Sequence, residues 1–170
     1  MLPISVPSLD FDLGRLHHIG VVVADIDAAA EHFAQVYGLE VSPAAESEYV
    51  CRIDGTAQAT IQRIGLSVEG PPYLELLRAV PGSNVWQPSP GVHHLGFVVD
   101  DVALASRELA RRGSPLWMGG LHGERCPVGT AYHRDQLGVT IELLDRGVEQ
   151  KLSTRFSGES ADAVPKPADD

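Results

Sequence analysis

The sequence predicts an α+β fold made of two tandem βαβββ modules. Two observations lead to this prediction. The segment HHIGVVVADI, which begins at residue 17, returns as HHLGFVVDDV from residue 93. Each copy is then followed by one helix-like segment and further strand-like segments in the same order. A repeat that keeps its order of elements indicates a duplicated structural unit.

The first copy opens with an apolar segment, Leu16–Val23, that is rich in β-branched residues and typical of a buried strand. Asp25 or Asp27 can cap a helix that runs to Tyr37, and Gly38 is placed to end it. Three further strands are predicted at 49–53, 59–67 and 73–78.

The second copy repeats this plan. It opens with a strand at 92–99, and Asp100 or Asp101 can cap the following helix. That helix is predicted to end in the basic pair Arg111 and Arg112, which suits the helix dipole, before Gly113. Three further strands are predicted at 116–118, 131–133 and 139–144.

The chain is therefore predicted to divide into five parts. An N-terminal extension covers residues 1–14, the first module 15–80, a linker 81–90 and the second module 91–146. Residues 147–170 are polar and end in SGESADAVPKPADD, a composition that predicts a disordered tail.

The composition excludes several classes of partner. Thirteen basic and 23 acidic side chains give a formal net charge of −10, which argues against nucleic acid, because clustered Lys and Arg bind phosphate backbones. No apolar run approaches the ~20 residues that cross a bilayer, and the N-terminus lacks signal-peptide features. Cys51 and Cys126 are too few for a disulfide framework or a cysteine zinc site. We expect a cytoplasmic protein.

The two histidine pairs are predicted to present one imidazole each to a shared cavity. Strand side chains alternate between faces, and the face with Ile19, Val21 and Val23 suits packing under the helix. His18 and its counterpart His94 then face the cavity. The preceding histidines, 17 and 93, are predicted to pack on the helix-facing side near the strand mouth.

Two glutamates also occupy equivalent positions in the two copies. Glu75 and Glu142 each stand alone in an apolar strand, YLELLRA and VTIELLD. A carboxylate is costly to bury unless it is paired or binds a cation. If the two halves pack together with pseudo-twofold symmetry, both carboxylates meet the imidazoles of His18 and His94. Gly20 and Gly96 have no side chain and so leave the cavity side of the strands open. Two nitrogen and two oxygen ligands suit one divalent ion such as Zn, Co, Ni, Mn or Fe.

A structural interpretation remains open for each of these residues. A histidine in a strand is commonly a hydrogen-bonded structural residue. Each glutamate could instead pair with an arginine near a strand end.

These segments resemble the vicinal oxygen chelate superfamily, in particular its glyoxalase I and methylmalonyl-CoA epimerase-like branch. The resemblance is carried by four segments: HHIGVVVADIDAAAEHFAQVYGLEV, YLELLRAVPG, HHLGFVVDDVALASRELARRG and AYHRDQLGVTIELLD. It implies a glyoxalase/bleomycin resistance/dioxygenase-like fold, in which a mixed sheet curls around a central metal site. It also implies His18, Glu75, His94 and Glu142 as the metal ligands.

The resemblance further implies a metal-dependent, non-redox enzyme: an epimerase, isomerase or lyase. Such an enzyme moves a proton next to a carbonyl or carboxyl oxygen of a small organic substrate. Glu142 or Glu75 would be the base, and a homodimer is expected. One alternative is a ligand-sequestering resistance or binding protein of the same fold. Another is an iron-dependent dioxygenase, which a fourth ligand at Glu75 would crowd.

Four further residues are candidates for contact with the substrate. The related epimerases place a second catalytic glutamate on the strand before the Glu75 position, and its approximate counterpart here is Gln58. His122 lies in a glycine-rich loop that could act as a lid. Tyr132 and His133 are adjacent in a strand, so at most one of them points inward.

Overall fold

The computed structural model describes residues 11–156, which form ten strands and three helices. In chain order these are β1 (Leu16–Val23), α1 (Ile26–Tyr37), β2 (Val41–Pro43), β3 (Ser47–Ile53), β4 (Thr56–Gln62), β5 (Ile64–Ser67), β6 (Tyr73–Arg78), β7 (His94–Val99), α2 (Val102–Arg111), β8 (Leu116–Gly120), β9 (Thr130–Arg134), β10 (Thr140–Asp145) and α3 (Arg146–Phe156). None of the helices in this range is both long and apolar enough to span a bilayer.

All ten strands belong to one mixed sheet, in the order β2-β5-β6-β1-β7-β10-β9-β8-β3-β4. The central strands β1 and β7 pair antiparallel, and each has a parallel neighbour, β6 and β10 respectively. Strands β4 and β5 lie near opposite ends of this order, yet only Arg63 separates them along the chain. Consecutive Cα atoms are about 3.8 Å apart, so the sheet must curl back on itself. The predicted α+β fold with a curled mixed sheet is confirmed.

Side-chain alternation divides the core into an outer and an inner part. Leu76 on β6 packs outward against Ile26 of α1, and Leu143 on β10 packs outward under α2. The next residue along β6, Leu77, points inward and joins an apolar cluster with Trp86. The inner face of the sheet therefore encloses a space that the helices α1 and α2 do not reach.

The N-terminal caps of α1 and α2 and the C-terminal cap of α1 are among the residues predicted for them. The Asp25 carboxylate accepts hydrogen bonds from the backbone N–H groups of residues 27 and 28, and Asp101 accepts one from that of Leu104. Gly38 adopts φ 67° and ends α1. A left-handed residue of this kind is readily supplied by glycine.

The first module differs from the predicted βαβββ order. The strand predicted at 59–67 is two strands, because the chain changes its pairing partner at Arg63 from β3 to β6. The Arg63 guanidinium binds Asp27 through both terminal nitrogens, at 2.6 and 2.9 Å, and its Nε donates to the Ala44 carbonyl. A short edge strand, β2, was not predicted. The second module has the predicted order.

The C-terminal prediction was wrong for residues 147–156, which form most of α3. Val148 and Leu152 are four residues apart and share one helix face, and Leu152 is only 8% exposed. The polar residues between them face solvent, which is why the composition alone suggested a disordered tail. Residues 157–170, together with 1–10 of the N-terminal extension, lie outside the described part of the chain.

The division into two modules stays a prediction. The β3–β4 hairpin of the first half pairs through β3 with β8 of the second half, so the halves are interleaved in space. The predicted linker contains no strand or helix, but Val85 and Trp86 within it are each 2% exposed and belong to the inner cluster.

Replacing Leu143 by Ala should lower the free energy of unfolding by about 2–5 kcal/mol, because a fully buried leucine leaves a cavity when it is truncated. Urea denaturation measures the change. Leu137→Ala is the matched control, since Leu137 is 81% exposed, and it should change stability by less than about 0.5 kcal/mol. Equal effects of the two substitutions would contradict the assigned core.

Candidate metal centre

Four buried side chains from four adjacent strands meet on the inner face of the sheet. They are His18 on β1, Glu75 on β6, His94 on β7 and Glu142 on β10, and one ligand atom from each lies within 4.8 Å of the others. The structure thus brings together the four residues that the sequence indicated. Their role as metal ligands stays a prediction.

Strand register explains the convergence. Two rows of directly paired residues cross the central strands: Glu75–Gly20–His94 and His18–Gly96–Glu142. Residues paired in this way share a face of the sheet. The antiparallel β1–β7 pair therefore places each imidazole opposite a glycine of the other half. The parallel neighbours β6 and β10 add one carboxylate at the end of each row.

The glycines are needed because the imidazoles lie directly over them. A Cβ atom at Gly20 would lie 2.0 Å from Cε1 of His94, and a Cβ at Gly96 would lie 2.1 Å from Cε1 of His18. Both distances are far below van der Waals contact. Any side chain at either position would displace an imidazole from the cluster.

The donor atoms lie close enough together to share a single ion, with small outward movements of Glu142 and the two imidazoles. Glu142 Oε2 lies 2.6 Å from His18 Nε2 and 2.9 Å from His94 Nε2, and these two nitrogens are 2.9 Å apart. Glu75 Oε2 lies 3.2 Å from His94 Nε2 and 3.6 Å from His18 Nε2. Ligands about 2.0–2.2 Å from a tetrahedral zinc ion would be roughly 3.3–3.6 Å from one another.

One donor atom has no partner. Glu75 Oε2 is buried and forms no hydrogen bond in the described structure, although an imidazole nitrogen is close by. A buried carboxylate oxygen without a partner is costly, and a cation would satisfy it. The two imidazoles and two carboxylates therefore fit a borderline divalent metal.

The cluster binds protons in the absence of an ion. Burial lowers the pKa of His94, but the nearby carboxylates of Glu142 and Glu75 outweigh burial and raise it to about 9. For Glu142, burial raises the pKa, whereas the neighbouring His94 and His18 outweigh that effect and lower it to about 2. At neutral pH the carboxylate is ionised and a proton occupies the imidazole site that a metal would use.

The first histidine of each pair orients the second. His93 Nε2 donates a hydrogen bond to the Val85 carbonyl at 2.8 Å, so its Nδ1 is an acceptor. His94 Nδ1 lies 2.9 Å from that atom and donates to it, which directs His94 Nε2 into the cluster. His17 Nδ1 lies 2.9 Å from His18 Nδ1 in the same way. Burial, followed by the adjacent imidazole, lowers the pKa of both His17 and His93, so both are neutral.

The sequence did not predict this orienting role. It placed residues 17 and 93 on the helix-facing side, but a register irregularity at 16–18 and the start of β7 at His94 interrupt strict alternation there. The signal that could have shown the role is the repetition of the complete HH dipeptide. Metal-ligating histidines are commonly held by a hydrogen bond from their second ring nitrogen.

A cavity of about 160 Å³ adjoins Glu75 and Glu142. Its walls are largely apolar and include Leu77, Met118 and Leu144. Helix α3 closes one side with Val148, Leu152 and Arg155, which are spaced along one face of the helix. The Arg155 guanidinium also donates to the carbonyl of Ala45, so α3 reaches from the end of β10 to the loop before β3.

Of the four predicted substrate contacts, only Tyr132 lines this cavity, and its ring centroid lies 5.0 Å from that of His94. Gln58 is exposed on β4; it shares a strand face with Gln62, but of the two only Gln62 lines the cavity. His122 is exposed in a loop, where its backbone bridges to Arg125.

His133 points away from the cavity, as alternation with Tyr132 requires. Its two ring nitrogens bond to the Ser114 carbonyl and to Ser106 Oγ of α2, both at 2.8 Å. His133 is therefore a structural residue between β9 and α2.

Comparison with known proteins supports the same fold. The family model described as glyoxalase/bleomycin resistance protein/dioxygenase superfamily matches residues 17–132. The ethylmalonyl-CoA/methylmalonyl-CoA epimerase of Cereibacter sphaeroides is 27% identical over 143 residues, which cover 77% of this chain and 97% of the relative.

Two solved structures share the fold at low identity. The methylmalonyl-CoA epimerase from Mycobacterium tuberculosis has a TM-score of 0.51 and 22% identity over 81% of this chain and 91% of its own. The Streptomyces coelicolor methylmalonyl-CoA epimerase, solved in complex with 2-nitronate-propionyl-CoA, has a TM-score of 0.50 and 22% identity over 77% of this chain and 93% of its own.

Replacing His93 by Phe should weaken binding of a divalent ion by about 10–100-fold, because it removes the acceptor that orients His94 and keeps a ring of similar shape. Competition with a chelator of known affinity measures the change. His32→Phe, on the exposed face of α1, should leave the affinity unchanged. If the two variants bound the ion equally well, the orienting role of His93 would be refuted.

Metal affinity should rise with pH up to about 9, because the ion must displace the proton that the raised pKa keeps on His94. Below that pKa the proton competes with the ion, so each unit of decrease in pH should weaken apparent binding by up to about tenfold per proton released. Calorimetry at pH 7 in two buffers of different ionisation enthalpy counts the released protons. Affinity that stays constant between pH 6 and 9 would contradict this expectation.

Proposed function

The chain belongs to the glyoxalase/bleomycin resistance protein/dioxygenase superfamily, and from this premise we propose that it is a metal-dependent, non-redox epimerase. The observation that carries the proposal is the meeting of His18, Glu75, His94 and Glu142 at the wall of an apolar cavity. The epimerase named above, which matches over nearly its full length, supports this reaction type.

The substrate we propose is a CoA thioester of a short 2-substituted malonyl acid, in line with the name of that relative. The cavity volume of about 160 Å³ is below the roughly 300–1,000 Å³ of pockets that enclose drug-sized ligands. It suits the branched acyl end of such a thioester, and the nucleotide end would remain outside. Arg155, at the α3 side of the cavity, offers a cation for the free carboxylate of the acyl group.

A glutamate of the chain is proposed as the base that removes the substrate proton. A divalent ion bound by the four ligands would polarise a carbonyl oxygen of the substrate and make the neighbouring C–H bond more acidic. Glu142 and Glu75 are the carboxylates beside the cavity that can take the proton. Glu142 is held by both imidazoles, whereas Glu75 retains an unpartnered oxygen. The apolar walls keep bulk water away from the reacting carbon, so the proton leaves and returns through the glutamate base, which can itself exchange its proton with solvent.

We further expect a homodimer that acts in the cytoplasm. Light scattering on the purified protein tests the assembly state. Fractionation of the producing cells tests the location.

The metal-loaded protein should exchange the C2 hydrogen of methylmalonyl-CoA with solvent deuterium and interconvert its epimers, because a carboxylate removes that hydrogen reversibly. NMR in D₂O follows the exchange. Glu75→Gln and Glu142→Gln keep a ligand oxygen but cannot accept a proton, so the variant that lacks the base should lose about 10²–10⁴-fold in rate while it still binds metal. Thr56→Ala, at the exposed start of β4, is the control.

The same measurements separate the alternatives. Purified protein without metal, indifferent to chelators and unable to exchange the hydrogen, would overturn the proposal in favour of a ligand-sequestering protein. Oxygen consumption with iron but not with zinc or cobalt would overturn it in favour of a dioxygenase.

A further inference from the structure

A buried amide in the cavity wall lacks a hydrogen-bond acceptor. Gln62 ends β4, lines the cavity together with Glu75 and Glu142, and is 7% exposed. Its Oε1 accepts a hydrogen bond from the backbone N–H of Arg63 at 2.8 Å. Its Nε2 is buried and has no partner in the described structure.

The hydrogen bond to Oε1 determines which way the amide points. A backbone N–H can only donate, so the atom that receives it must be the carbonyl oxygen of the side chain. The amide nitrogen therefore occupies the other position. Buried donors are nearly always paired with protein or water, so an unpaired donor in the wall of a cavity indicates a group that a ligand completes.

The surrounding contacts hold this amide firmly. Gln62 stands at the joint between β4 and β5, paired with Ser47 on one side. The next residue, Arg63, is anchored by its bidentate contact with Asp27 and by the Ala44 carbonyl. A donor on a rigid segment requires little rearrangement when charge develops beside it.

We propose that Gln62 Nε2 donates a hydrogen bond to the substrate oxygen on which negative charge develops during proton transfer. This inference rests on the proposed epimerase function. In the step, the C2–H bond breaks, its proton passes to the glutamate base, and its electron pair becomes the C=C bond of an enolate while the carbonyl π pair moves onto the oxygen. The charge then resides on the oxygen that accepts from Gln62. Return of a proton to the opposite face of C2 reforms the carbonyl and gives the other epimer.

A side-chain amide cannot accept the proton, so the proposed role of Gln62 is to stabilise negative charge and not to act as the base. Gln62 should therefore strengthen binding of the transition state and of ligands that resemble an enolate. Metal binding should not depend on it, since Gln62 is not one of the four clustered residues.

The test compares Gln62→Leu and Gln62→Met with Gln58→Leu in the full-length, metal-loaded protein. Gln58 lies on the same strand and is exposed, which makes it a matched control. The probes are 2-nitronate-propionyl-CoA, whose nitronate imitates an enolate, and propionyl-CoA, which lacks the developing charge. Metal content and melting temperature are measured for each variant.

The Gln62 variants should bind the nitronate about 10²–10³-fold more weakly and lose a similar factor in kcat. They should bind propionyl-CoA and the metal normally. Without ligand they should melt close to the parent protein, because removing an unpaired buried donor offsets the loss of the acceptor for the Arg63 backbone N–H. The Gln58 variant should match the parent in every measurement.

The outcomes separate a failure of the Gln62 assignment from a failure of the proposed epimerase function. If the parent protein exchanges the C2 hydrogen and the Gln62 variants do so equally fast, the assignment of Gln62 is refuted and the epimerase function stands. If the parent protein shows no exchange, the proposed function is refuted and this assignment falls with it. Loss of metal in both Gln62 variants would also refute the assignment, because it would indicate a structural role.

Discussion

The antiparallel pairing of β1 with β7 is the constraint on which the rest of the site depends. It places His18 opposite Gly96 and Gly20 opposite His94, so each half of the chain provides both an imidazole and the space for the imidazole of the other half. A shift of one residue would turn both histidines to the outer face. The parallel strands β6 and β10 extend the same register to the two glutamates.

This arrangement gives the fold a polar centre where an apolar one would be more stable. Two carboxylates and two imidazoles are nearly fully buried there, and buried ionised groups cost free energy unless they are paired with good geometry. The first histidine of each HH pair satisfies the outer nitrogen of the second. Four buried side-chain atoms of the described residues have no partner, and three of them, on Gln62, Glu75 and Trp86, belong to residues that line the cavity. Most of these unfavourable features therefore lie where a ligand would relieve them.

Local patterns were sufficient to predict the central strands and the four clustered side chains. The two-residue alternation of a strand is short-ranged, and the duplicated HH and ELL segments set equivalent positions in both halves. The break between β4 and β5 was not predictable, because it depends on contacts of Arg63 with Asp27 and Ala44, which are distant in sequence. Helix α3 escaped prediction because only two apolar residues, Val148 and Leu152, hold it against the cavity.

The four clustered residues are divided equally between the halves, with one histidine and one glutamate from each. A complete set of donors therefore exists only after the halves have docked, and an ion that needs all four binds the assembled chain and not the unfolded one. By mass action, such an ion shifts the folding equilibrium by an amount that grows with its free concentration. With an ion bound as proposed, the supply of metal in the cell would be part of what determines how much of this chain is folded.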